Sequence, residues 1–118
     1  MYGLPNDINL AFFKQRELLQ VCIGAHDLIL NFDGRISVTL TSSIGLTSCG
    51  SPMRRYDDFR QAASDLVTLI DQRIVSAESD GAGTLTLEFD VGGRLSIYDD
   101  SRQYESYTIK NAGQLIVV

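Results

Sequence analysis

Apolar and polar residues alternate with a period of two along much of this chain, and the alternation occurs in two stretches. Leu28, Leu30 and Phe32 are separated by Ile29 and Asn31, and Ile36, Val38 and Leu40 by Ser37 and Thr39. Successive side chains of a strand point to opposite faces, so this spacing predicts strands with one dry and one wetter face. Asp33-Gly34 between the runs is a two-residue hairpin signal, because a type I′ turn needs positive φ at both central positions. In the second stretch Leu85, Leu87 and Phe89 alternate with Thr86 and Glu88, and Leu95 and Ile97 resume after Asp90-Val91-Gly92-Gly93. Asp33 and Asp90 read as turn carboxylates.

The two stretches align with each other. Gln20-Val21-Cys22-Ile23-Gly24-Ala25 matches Gln72-Arg73-Ile74-Val75-Ser76-Ala77, and Leu28 to Gly34 matches Leu85 to Asp90, the second copy reaching Gly93 through two extra residues. Arg35 to Val38 then matches Arg94 to Ile97. Each copy, over 18–41 and 70–98, predicts a three-stranded antiparallel meander. Between them Tyr56, Phe59, Ala63, Leu66 and Ile70 follow a 3-4-3-4 spacing. That spacing predicts a helix over about 52–71, with Ser51 as N-cap and Pro52 at the first helical position.

Residues 42–51 read as a strand end and a loop, and residues 8–19 as a loop or short helix whose Leu10, Phe12 and Phe13 plug the core. Tyr104 to Lys110 and Gln114 to Val118 flank Asn111-Ala112-Gly113 and predict two C-terminal strands. The unbroken apolar run Leu115-Ile116-Val117-Val118 suits a strand buried on both faces or held against a neighbour. The expected fold class is α+β in a single domain over 1–118. Two related meanders, one intervening helix and C-terminal strands would form a curved sheet or half-barrel, with two facing sheets as the competing arrangement.

Composition narrows the function classes. At 118 residues and 44% hydrophobic the chain can bury a core without disulfide or metal staples. Its net charge is −5, and its ten Lys and Arg are scattered, with Arg54-Arg55 the adjacent pair. Nucleic-acid binders need a basic stripe to neutralise phosphate, so neither DNA nor RNA is the expected partner. The start, Met1 to Asp7, has neither a basic n-region nor an apolar h-region, and no apolar run approaches the ~18 residues of a membrane span. A cytoplasmic protein with reduced Cys22 and Cys49 is the expectation, without membrane contact.

Candidate chemistry is sparse. His26 is the only histidine and sits where the chain reverses. Cys22 lies four strand residues before it, about 13 Å away and beyond hydrogen-bond reach. The residues thus present no catalytic set, no metal-ligand spacing and no phosphate cradle, and no cofactor is expected. The two cysteines read as small core hydrophobes.

One segment differs in kind. Tyr98-Asp99-Asp100-Ser101-Arg102-Gln103-Tyr104-Glu105-Ser106-Tyr107 holds three of the five tyrosines. Tyrosine buries area with a polar tip and few rotatable bonds, and flanking carboxylates select a cationic partner. Tyr98, Asp99, Asp100, Tyr104, Glu105 and Tyr107 are therefore the candidate contact residues. The ordinary alternative is cross-strand tyrosines beside a solvated acidic turn.

Leu18 to Gly24, Leu30-Asn31-Phe32, Leu85 to Phe89, Leu95 to Ser101, Tyr104 to Tyr107 and the Leu115 to Val118 ending together resemble a group of small uncharacterised bacterial proteins, a domain of unknown function. The resemblance runs from residue 17 onward and implies no activity. Proteins of this size and style include immunity proteins that neutralise toxins, an analogy that assigns no residue. The leading expectation is a non-enzymatic protein-binding module of immunity type with a basic partner. Two alternatives stand beside it. One is a small-ligand binder or weak enzyme with His26, Cys22 and Cys49 at a cavity under the curved sheet; the other is a structural homo-oligomer joined through the C-terminal strand.

Overall fold

The computed structural model describes residues 9–47, 51–100 and 106–118. Their strands are β1 (Leu18–Ile23), β2 (Leu28–Phe32), β3 (Ile36–Leu40), β4 (Ile44–Thr47) and β5 (Arg54–Tyr56), then β6 (Ile74–Ser79), β7 (Leu85–Phe89), β8 (Arg94–Ile97), β9 (Tyr107–Asn111) and β10 (Gln114–Val117). They form two five-stranded antiparallel sheets, in the orders β1-β2-β3-β9-β10 and β5-β4-β8-β7-β6. The alternation seen in the sequence becomes burial: β2, β3 and β7 each bury every second residue. The buried residues of both sheets belong to one hydrophobic cluster, so the sheets face each other across a shared core. Two facing sheets, not a single curved sheet or half-barrel, is the arrangement.

Both predicted meanders exist, β1-β2-β3 and β6-β7-β8, but pairing corrects their alignment. Leu18 pairs with Phe32 as Ile74 pairs with Phe89, each followed by a one-residue bulge, at Leu19 and Val75. Hence Leu18–Ile23 corresponds to Ile74–Ser79, not Gln20–Ala25 to Gln72–Ala77. Likewise Val38 opposes Leu30 as Leu95 opposes Leu87, so the third strands align through Val38 and Leu95 and no two-residue insertion is needed. The positive φ of the first hairpin falls on Gly34 and Arg35, one residue later than expected.

The repeat extends well beyond the meanders. Gln15 and Asp71 both take positive φ, and the segments that follow them run antiparallel to each other. Gln15 N–H donates to the Ile74 carbonyl (2.8 Å) as Asp71 N–H does to that of Leu18 (2.9 Å). Leu18 N–H donates to Gln72 (3.0 Å) as Ile74 N–H does to Arg16 (2.9 Å). Glu17 and Arg73 form the bridge at the centre, on a pseudo-twofold axis. Asp33 and Asp90 do sit in turns, but their carboxylates reach beyond them: Asp33 accepts from the Glu17 N–H (3.1 Å) and Asp90 from that of Arg73 (3.2 Å), so they brace the junction and not their own turns.

The helical segments are shorter than predicted. A 3-10 turn over Phe59–Ala62 leads into α1 (Ala63–Val67), and Asp58, not Ser51, is the cap, accepting from the Arg60 N–H at 3.0 Å. The helical burial period is real but confined to Phe59, Ala62, Leu66 and Leu69. Arg54–Tyr56 lies instead on the edge of the second sheet, opposite Leu46, Gly45 and Ile44. A strand with one buried Tyr and exposed Arg neighbours satisfies a helical spacing by coincidence, because Tyr56 and Phe59 point into the same core. The expected loop over 42–51 likewise contains β4.

β4 and β9 leave their own meanders. β4 pairs with β8 and β9 pairs with β3, so each half of the chain supplies two strands to the sheet begun by the other. The crossings use buried polar residues, Ser42 and Ser43 in one and Ser106 in the other. β10 is an edge strand with Leu115 56% exposed, not a strand buried on both faces. Leu66, fully buried on α1, is the simplest probe of the core. Leu66→Ala is expected to cost about 2–5 kcal/mol in chemical denaturation, through lost burial and the cavity left behind.

Candidate functional site

The tyrosine–acid segment starts directly after β8, and its last residue, Tyr107, opens β9. Of its six candidates, Tyr104 and Glu105 lie outside the described residues. Asp99 accepts a hydrogen bond from the Ser106 hydroxyl at 2.6 Å, and its side chain packs on Gly83, where an added Cβ would lie 2.7 Å from it. Tyr107 is in the core, 1% exposed, and donates its hydroxyl to the Gly83 carbonyl at 2.6 Å. Burial pushes its phenol pKa up, and the Asp99 and Asp80 carboxylates push it the same way. The expected contact role of Tyr107 gives way to a packing role, because its ring fills the core space that Ile44 fills in the other half.

Asp100 and Tyr98 behave differently. Asp100 accepts from the Ser43 N–H (3.2 Å), from the Ser43 hydroxyl and from Arg55 Nη2 (2.9 Å). Arg55 in turn lies over the Tyr98 ring, 4.5 Å from its centroid. The ring rests on Gly45 of β4, where a β-carbon would lie 2.6 Å from Tyr98 Oη and 3.1 Å from Met53 Sδ. Tyr98, Arg55 and Asp100 thus form a stacked, ion-paired group on the outer face of the second sheet. Its ion pair is partly solvated, the two side chains being 50% and 38% exposed, so it holds geometry more than it adds stability. Met53, 55% exposed, and Asp57, which accepts from Arg55 Nε at 3.4 Å, extend the group. Arg55 and Gly45 went unnoticed in the sequence; the adjacent Arg54-Arg55 pair was the available signal.

The alternative cavity residues do not come together. Cys22 lies half-buried on β1, paired with Ile29 on the outward face and within 3.8 Å of the Asn31 amide nitrogen, so it is not a core residue. His26 is exposed in the turn between β1 and β2, and Cys49 lies outside the described residues. Among the described residues no group of three His, Cys, Asp or Glu is placed to hold a metal ion. A cleft of about 290 Å³ opens instead beside β5, lined by Leu46, Ser51, Pro52, Met53, Arg54 and Asp65. Asp65 in its lining accepts from the Tyr56 hydroxyl at 2.7 Å. No described helix is long and apolar enough to cross a membrane.

Two facing antiparallel sheets, built from related halves that exchange their last two strands, define the class: an interleaved β-sandwich with one short helix among the described residues. Residues 12–118 match the family of unknown function DUF6188, and the chain belongs to that family. No curated protein and no solved structure matches it.

Two outcomes test these placements. Gly45→Ala is expected to tilt Tyr98 away from Arg55 at about 1 kcal/mol, the low end of overpacking, seen as altered Tyr98 ring shifts by NMR without global unfolding. Tyr107→Phe leaves the Gly83 carbonyl unpaired and is expected to cost about 1–3 kcal/mol. The folded-state pKa of Tyr107 lies above the unfolded value of about 10, so ionisation is disfavoured in the fold. Its contribution is present below pH ~10 and lost as pH rises above that. Denaturation midpoints between pH 8 and 11 should therefore fall more for wild type than for Tyr107→Phe.

Proposed function

We propose that this protein is a non-enzymatic protein-binding module whose contact surface centres on Tyr98 and Arg55. The observation that carries this reading is the stack of Arg55 on Tyr98, fixed by Asp100 and seated on Gly45. Tyr and Arg dominate the energetics of protein interfaces, and a side chain already held in place loses little entropy on binding. Exposed Met53 adds an adaptable apolar contact at the same place. The net charge of −5 steers a basic partner toward the molecule, while the local group supplies the contact. Asp99 and most of Asp100 serve the crossing, so charge selection belongs to the whole surface more than to these two carboxylates.

The cleft beside β5 favours a second reading, a small-ligand binder. Leu46, Pro52 and Met53 offer apolar wall, and Arg54 with Asp65 offers polar groups at its rim.

Pull-down from host lysate, followed by calorimetry with the isolated partner, separates the two. Wild type is expected to retain one stoichiometric protein, and the double variant Tyr98→Ala/Arg55→Ala to weaken it at least tenfold while staying folded. Equal binding by wild type and the double variant would reject the surface. A folded protein that captures no partner but gives ligand-induced shifts at Met53 and Arg54 would move the function to the cleft.

A further inference from the structure

The four sheet edges are unequally defended. β1 and β6 each begin with a bulge, and β6 carries Glu78. β5 carries Arg54 and Arg55 and runs directly toward the Asp58-capped turn. β10 has neither device: Gln114, Leu115, Ile116 and Val117 pair in unbroken register with Asn111, Lys110, Ile109 and Thr108. It occupies the position in the first sheet that β5 occupies in the second, so one fold position is charged in one half and bare in the other. Charges and bulges are among the devices that keep edge strands from pairing with another chain.

We propose that β10 is the contact edge of a homodimer, in which two copies pair β10 with β10 antiparallel and join their first sheets into one continuous sheet. A two-fold axis through Ile116 sets Leu115 against the partner's Val117 and Ile116 against the partner's Ile116, so the contacts are apolar and self-complementary. Charge favours a second copy at this edge. The chain carries −5 overall, so copies repel over most of their surface. Residues 106–118 contain no Asp or Glu and one cation, Lys110, opposite Leu115. The same self-pairing at β5, about an axis through Arg55, would set that guanidinium against its own copy. Ile116 already packs against the core, and pairing extends that core across the axis. This edge belongs to the first sheet and the Tyr98 group to the second, so dimer formation and partner binding stand or fall separately.

Sedimentation of the full chain from about 1 μM to 1 mM tests the proposal. The expected mass rises from 13.0 kDa to twice that value. Leu115→Lys, at an exposed site, is expected to weaken self-association at least tenfold, while Val75→Lys on the β6 edge leaves it unchanged. Independently of both, Leu115→Cys with Val117→Cys should give a disulfide between copies on mild oxidation, with residue 115 joined to the partner's residue 117 in peptide maps. A monomer throughout the range overturns the proposal. So does a dimer indifferent to Leu115→Lys, or a peptide map that lacks the 115–117 link.

Discussion

Four backbone hydrogen bonds between residues 15–18 and 71–74, centred on the Glu17–Arg73 bridge, tie the start of one meander to the start of the other. Backbone groups need hydrogen-bond partners, and here the two segments supply four to each other while Asp33 and Asp90 take up the Glu17 and Arg73 N–H groups. The positive φ of Gln15 and Asp71 aims both segments at this junction, a conformation that costs a non-glycine residue about 1–2 kcal/mol. With the two halves set about this axis, the fourth strand of each half finds an open edge on the opposite sheet. The exchange of β4 and β9 follows, and with it the single core.

Strand exchange makes particular demands on the crossings. The chain must pass between sheets with Ser42, Ser43 and Ser106 buried, and buried polar groups without partners are costly. Asp100 supplies a partner to Ser43 and Asp99 one to Ser106, while the buried Ser42 hydroxyl has no partner among the described residues. The acidic pair that looked like a recognition feature is in large part the means by which the crossings are sealed. Tyr98 is left outward because β4 presents Gly45 beneath it, and the Arg55 opposite Gly45 on β5 closes over the ring. The same geometry that completes the second sheet thereby assembles the stacked group proposed as the contact surface.

The two halves also show how a duplicated core tolerates unequal side chains. Ile44 and Tyr56 sit side by side in one sheet, while Tyr107 and Val118 sit side by side in the other. Each neighbourhood holds one aliphatic residue and one tyrosine in reversed order, which conserves volume. Each buried tyrosine then finds its own acceptor, Asp65 for Tyr56 and the Gly83 carbonyl for Tyr107.

Period-two alternation is local chemistry, so the meanders, the β9–β10 hairpin and the turn positions of Asp33 and Asp90 were legible from the sequence alone, whereas the bonds of those two carboxylates to Glu17 and Arg73 were not. So was the existence of an internal repeat, although text similarity placed its first strand four residues out, because Gln72-Arg73 resembles residues that pairing does not match to it. Short elements were misread where two periods agree: Tyr56 and Phe59 fit a helix, and only the Leu46–Arg54 and Ile44–Tyr56 pairings show that β5 is a strand. Of the candidate site, Tyr98 and Asp100 were visible as residue types, but Arg55 and Gly45 join them from strands distant in the chain. Which sheet a strand completes, which tyrosine is buried and which carboxylate seals a crossing depend on contacts between the two halves. Those contacts have no local signature, and so they were decided by the tertiary structure.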